Sequence, residues 1–191
     1  MATTRSAKAT RVVEAGLDIL RDEGDRALTM RGVANRLGMS LSNVQYYFPD
    51  KDSLLCEMVA HYMKACGDEF DRLTDRIEAK SLRERRRALL MAMLAHGHEM
   101  TEMCRIFREV WAISGRSERV ADTLRAYYAR FTKLLTGSLL APGTDSDIHR
   151  RLALLLLPYV EGYSIVGDAV GQDQTEAVEL LLQLMEGLDE A

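Results

Sequence analysis

Between a capping Ser40 and a helix-stopping Pro49 the chain reads Leu41-Ser42-Asn43-Val44-Gln45-Tyr46-Tyr47-Phe48. If this run is helical, Leu41, Ser42, Asn43, Gln45 and Tyr46 project away from Val44 and Phe48 toward solvent or a partner. The five carry no charge, which is unusual for a merely solvated face. They suit the major groove of duplex DNA, where amides pair with adenine edges and apolar atoms meet thymine methyls. Asp50 can then cap a further helix beginning at Lys51, and a helix N-terminus with a lysine in its first turn is a ready phosphate clamp.

Other residues with chemical potential form weaker patterns. His96-Gly97-His98-Glu99 and Cys104 invite a metal, but His96 and His98 point about 200° apart on a helix, so the expectation is no metal site. Cys56, Cys66 and Cys104 are odd in number and widely spaced, as reduced thiols are. Gly-rich phosphate loops and nucleophile elbows are absent, and Ser, His and acidic residues fall into no catalytic spacing. The chain is therefore not expected to be an enzyme or to need a cofactor.

The elements that must position the reading face are three helices. Val13, Gly16, Leu17 and Leu20 share one face of the first, which should stop at Gly24. Thr29 caps a short second helix with Met30, Val33, Ala34 and Leu37 inward, ended by Gly38. Ser40 opens the third, with Val44, Tyr47 and Phe48 inside. Ala34 is small where two helices cross, Gly38 can take a positive φ, and Val44 is a β-branched plug. That spacing describes a helix-turn-helix rather than an ordinary helical hairpin.

Thr29 to Leu55, TMRGVANRLGMSLSNVQYYFPDKDSLL, resembles the DNA-binding segment of the TetR family of transcriptional regulators, including the aromatic pair, the Phe and the Lys. The resemblance implies that Thr29, Ser40, Tyr47 and Lys51 hold phosphates, while Ser42, Asn43, Gln45 and Tyr46 face bases or adjacent backbone. Two departures stand out: Gln45 replaces a frequent Tyr and Leu41 a frequent Lys, which should change the operator that is read.

The expected architecture is all-α: a three-helix head over residues 1–50 on a larger helical ligand-binding and dimerisation body over 51–191. Helices are expected near 51–66, 68–79, 82–98, 101–114, 117–138, 145–169 and 173–188, with Gly67 as one of the breaks. In the middle, large adaptable side chains, among them Met93, Phe107, Trp111, Tyr127, Tyr128 and Phe131, either pack a core or line a pocket for a small apolar ligand. The resemblance favours a cavity here. Leu152, Leu156, Tyr159 and Tyr163, with Val178, Leu181, Leu182 and Met185, form apolar seams on the last two helices. Such seams either complete one subunit's core or join two chains through four helices. The resemblance implies a homodimer on two operator half-sites, and a repressor released by a ligand.

Charge and composition agree with these expectations. The net charge is −4, yet residues 1–51 hold eight Lys and Arg against six Asp and Glu, so the head is slightly basic and the remainder carries −6. The longest apolar run, Leu152 to Val160, is far short of the roughly 20 residues needed to cross a bilayer. A polar start without a secretory pattern implies a cytoplasmic protein. Two alternatives remain: a small helical ligand-binding protein or enzyme without a DNA target, marked by turnover or by binding indifferent to duplex DNA, and a purely scaffolding dimer.

Overall fold

A computed structural model describes residues 4–99, 101–171 and 173–189 of the chain. Among them are α1 (Thr4–Glu23), α2 (Met30–Leu37), α3 (Leu41–Tyr47), α4 (Lys51–Arg76), α5 (Leu82–Glu99), α6 (Thr101–Ser114), α7 (Glu118–Leu139), α8 (Ser146–Val170) and α9 (Gln174–Asp189). The described residues contain no strand, and none of their helices is long and apolar enough to cross a membrane. The all-α expectation holds. One expected break does not: α4 runs unbroken through Gly67. A single helical glycine costs only about 1 kcal/mol, which the packing of the flanking turns outweighs.

Packing divides the chain into two compact units. The first comprises residues 1–66 and 105–127, the second 67–104 and 128–191. In the first, Val13, Leu20, Leu28, Val33, Val44 and Leu54 are buried, as are Val110 and Val120 from the later helices. Gly16 allows a close approach: a Cβ there would stand 2.7 Å from the Met58 sulfur, so that side chain would have to shift.

In the second unit, α5, α8, α9 and the later part of α7 build a core around Leu89, Leu90, Leu94, Leu135, Leu156 and Leu182. Arg86 is buried with its Nε donating 2.8 Å to the Leu139 carbonyl, and Gln174 donates 2.7 Å to the Met91 carbonyl. Arg83 pairs with Glu179 and Glu186, and Arg87 with Glu179.

For six of the eight residues expected in the α8 and α9 dimer seams, the assignment is corrected by this core, and only Tyr159 and Tyr163 stay half-buried. Leu152, Leu156, Val178, Leu181, Leu182 and Met185 are all buried within their own subunit, while Tyr159 and Tyr163 stack on each other at 6.1 Å and pack against the same cluster. The apolar side chains left exposed on these helices are instead Leu154, Leu155, Ile165, Val166, Leu180 and Leu184.

Candidate nucleic-acid interface

Local chemistry shapes the head. The Thr29 hydroxyl accepts from the Gly32 N–H at 2.9 Å and opens α2. Gly38 ends it at φ 62°, a left-handed conformation that side chains disfavour, and lets the Met39 N–H reach the Ala34 carbonyl at 2.9 Å. Ser40 Oγ accepts from the Asn43 N–H at 3.2 Å and opens α3. Val44 is fully buried beneath the turn and Phe48 nearly so. The next junction is a reciprocal cap: Asp50 accepts from the Ser53 N–H at 2.6 Å while the Asp50 N–H donates to Ser53 Oγ at 3.3 Å. The hydrogen bond from the Ser53 backbone, above all, keeps the Asp50 carboxyl below the ordinary carboxylate range.

These caps fix how α3 presents its side chains. Ser42, Asn43, Gln45 and Tyr46 are exposed, Tyr46 to 63%, and Leu41 and Tyr47 are half-buried. Tyr46 and Tyr47 meet edge to face with centroids 5.2 Å apart. Ser42 Oγ lies 3.0 Å from Ser40 Oγ, so the helix start and the outward face share one hydroxyl pair. Thr29 and Ser40 each spend an acceptor on a cap; Thr29 keeps its hydroxyl proton to donate, and the Ser40–Ser42 pair holds two hydroxyl protons of which one serves the contact between them.

Lys51 sits at the first position of α4 but is already engaged. Its Nζ donates to Asp25 Oδ1 at 3.0 Å and to the Asp25 carbonyl at 3.2 Å. Burial pushes the Asp25 carboxyl up, yet hydrogen bonds from Lys51 and Arg116 outweigh it and hold it below the usual range. Sequence reasoning misses Arg26 and Arg31, which flank Thr29, are exposed and enter no ion pair among the described residues. Arg36, by contrast, is occupied by Asp22 and Glu23 at 3.2 and 3.1 Å. The signal for Arg31 is its place in the first turn of α2 beside the Thr29 cap.

The six side chains expected around a ligand are not gathered into a described cavity. Met93 is buried in the second unit's core, and Phe131 packs edge to face on Phe70 at 5.5 Å. Tyr128 donates to Glu161 at 2.8 Å. Trp111 and Tyr127 belong to the first unit, and Trp111 is 46% exposed, which does not fit the lining of an enclosed pocket. The side chain of Phe107 lies outside those described, as do those of His96, His98, Glu99 and Cys104. A groove of about 730 Å³ in the second unit, between Thr132 and Thr136 of α7 and His149, Leu154 and Leu157 of α8, includes none of the six.

Comparison with known proteins agrees with this geometry. The model of the bacterial regulatory proteins of the tetR family matches residues 12–58, from α1 into α4. Over 182 residues the chain is 38% identical to an HTH-type transcriptional regulator in the dhlA 5′ region of Xanthobacter autotrophicus, spanning 95% of this chain and 90% of that one. A TetR transcription regulator from Haloarcula marismortui ATCC 43049 shares the fold at TM-score 0.69 and 19% identity, with 96% of each chain covered. So does a protein from Saccharomonospora viridis described as a transcriptional regulator in complex with choline, at TM-score 0.68 and 18% identity, with 97% of this chain and 96% of that one covered.

Proposed function

Because the chain belongs to the TetR family and is a DNA-binding transcriptional regulator, we propose that it is a homodimeric, cytoplasmic repressor whose grip on its operator is loosened by a small ligand. Residues 1–50 read the DNA, and residues 51–191 bind the ligand and pair the subunits, with no catalytic step and no cofactor. The observation that carries the reading is the outward face of α3: four exposed, uncharged, hydrogen-bonding side chains held between two side-chain caps.

Each residue has a role in this proposal. Ser42, Asn43, Gln45 and Tyr46 meet base edges or adjacent backbone, and Leu41 contributes apolar contact beside them. Thr29, Ser40, Tyr47 and Lys51 hold phosphates, joined by Arg31, which enters no ion pair among the described residues. Exposed Leu154, Leu155, Ile165, Val166, Leu180 and Leu184 supply the apolar surface that a second copy covers.

A ligand acts only by preferring the conformation that spaces the two heads wrongly for the operator. Its effect on operator affinity must then be matched by an equal effect of operator on ligand affinity. An apolar body with choline's cationic head is a sensible first probe, since one neighbour of the same fold is described with choline.

Selection of bound sequences from random duplex DNA tests the central reading. The expected product is an inverted repeat with half-sites one helical turn, or a multiple of it, apart. Recovery of no enriched sequence from a folded preparation would overturn it.

A further inference from the structure

Asp25 lies in the turn between α1 and α2 and binds two cations from different parts of the chain. Its Oδ1 accepts from Lys51 Nζ at 3.0 Å, and its Oδ2 accepts from Arg116 Nη2 at 2.9 Å. Its own N–H donates 3.2 Å to Glu109 Oε2 of α6. Beside it Arg119 of α7 reaches Asp50 Oδ1 at 3.3 Å, next to Lys51 in sequence. All of these residues belong to one compact unit. The turn after α6 therefore enters the charge network of the reading head, although it is more than 60 residues further along the chain.

The stoichiometry of charge gives this cluster a consequence for DNA. The Lys51 ammonium has three donors, two already spent on Asp25, so a phosphate would take the third and compete for the same positive charge. The Asp25 side chain is only 16% exposed, and its field at Lys51 is less screened by salt than that of a surface carboxylate. Arg116, largely exposed, is the second claimant on this acceptor. When it shares the carboxylate, less of the negative charge is directed at Lys51. When it is absent, Asp25 is answered by Lys51 alone.

We infer that Asp25 is a positioning residue shared by Arg116 and Lys51, through which the turn between α6 and α7 sets how strongly Lys51 holds a DNA phosphate. The inference rests on Lys51 being a phosphate contact. It identifies Arg116, outside the helix-turn-helix, as a residue that raises DNA affinity without touching DNA.

Titration of a labelled mixed-sequence duplex at several salt concentrations tests it with wild type, Lys51→Ala, Arg116→Gln and the double variant. Lys51→Ala is expected to weaken binding and lower the salt slope by about one. Arg116→Gln should weaken binding about two- to fivefold when Lys51 is present, and have no further effect on Lys51→Ala. An equal loss in both backgrounds would show Arg116 acting on DNA directly, and no loss in either would leave the shared carboxylate without a role; both overturn the inference. No effect of Lys51→Ala alone would instead remove the phosphate contact on which it rests. As a further arm, Asp25→Asn that stays helical should abolish the Arg116→Gln effect, and persistence of that effect would equally overturn it.

Discussion

Leu180 and Leu182 stand two residues apart on α9 and face opposite ways, Leu180 55% exposed and Leu182 fully buried. On a helix such a pair is turned by about 200°, so one side chain completes the subunit core while the other is offered outward. The same division runs along α8, where Leu154 and Ile165 share the outward side and Leu152 and Leu156 the inward one.

Substitutions on the two sides should fail differently. Leu180→Glu or Leu184→Glu is expected to give a helical monomer that loses specific DNA binding, because the charge sits on the face proposed to pair with a second copy. Leu182→Ala should instead lower subunit stability by about 2–5 kcal/mol through the lost transfer energy and the cavity left behind. Sedimentation together with urea unfolding separates the two. A dimer unchanged by both glutamates would move the interface off this face.

The contrast explains what can be read in the sequence. The head is legible because its information is local: Thr29, Gly38, Ser40 and Asp50 act on neighbours within five residues. The α8 face is not, because Leu152 and Leu154 to Leu157 make that stretch apolar nearly all round, and periodicity cannot choose a side. The Asp25 cluster has no sequence signal at all, since Glu109 and Arg116 lie 84 and 91 residues away and only the tertiary fold brings them in. Glu161 and Tyr128, 33 residues apart, are invisible as a pair for the same reason.

Base reading and phosphate holding should separate on the head. Gln45→Ala is expected to cost about 1–3 kcal/mol on the selected operator and to relax the choice at one base pair. Arg31→Ala should weaken all sequences about equally and reduce the salt slope by roughly one. Binding measured over a panel of single-base operator variants checks both. An unchanged base preference in Gln45→Ala would mean that α3 is not the reader.

Two glycines should respond to alanine with opposite signs. Gly38 holds φ 62°, and although its surroundings leave room for a Cβ, the backbone strain should cost about 1–2 kcal/mol. Gly67 sits inside α4 with nothing within 4 Å of an added Cβ, so Gly67→Ala should stabilise by about 0.5–1 kcal/mol. Thermal unfolding of the two variants at equal protein concentration provides the comparison. A destabilising Gly67→Ala would show that this position is not an unconstrained helical turn.

Glu161 of α8 should make stability depend on pH near neutrality. Burial pushes its carboxyl up to about 7, against the opposing hydrogen bond from the Tyr128 hydroxyl. The unfolded chain has the ordinary value of 4.5, so between that and about 7 the folded state binds the proton more tightly. Unfolding in this window releases a proton, and stability must fall as pH rises through it, reaching its full cost above about 7. A tenfold difference in proton affinity corresponds to about 1.4 kcal/mol, and with allowance for the water that still reaches this side chain the cost should be about 2 kcal/mol. Glu161→Gln keeps an acceptor for Tyr128 and removes the charge, so it should be more stable than wild type at pH 8 and nearly equal to it at pH 4. Urea unfolding of both proteins at the two pH values isolates this residue from all other titrations. A difference that does not change between them would show that Glu161 ionises in the folded protein as freely as in the unfolded chain.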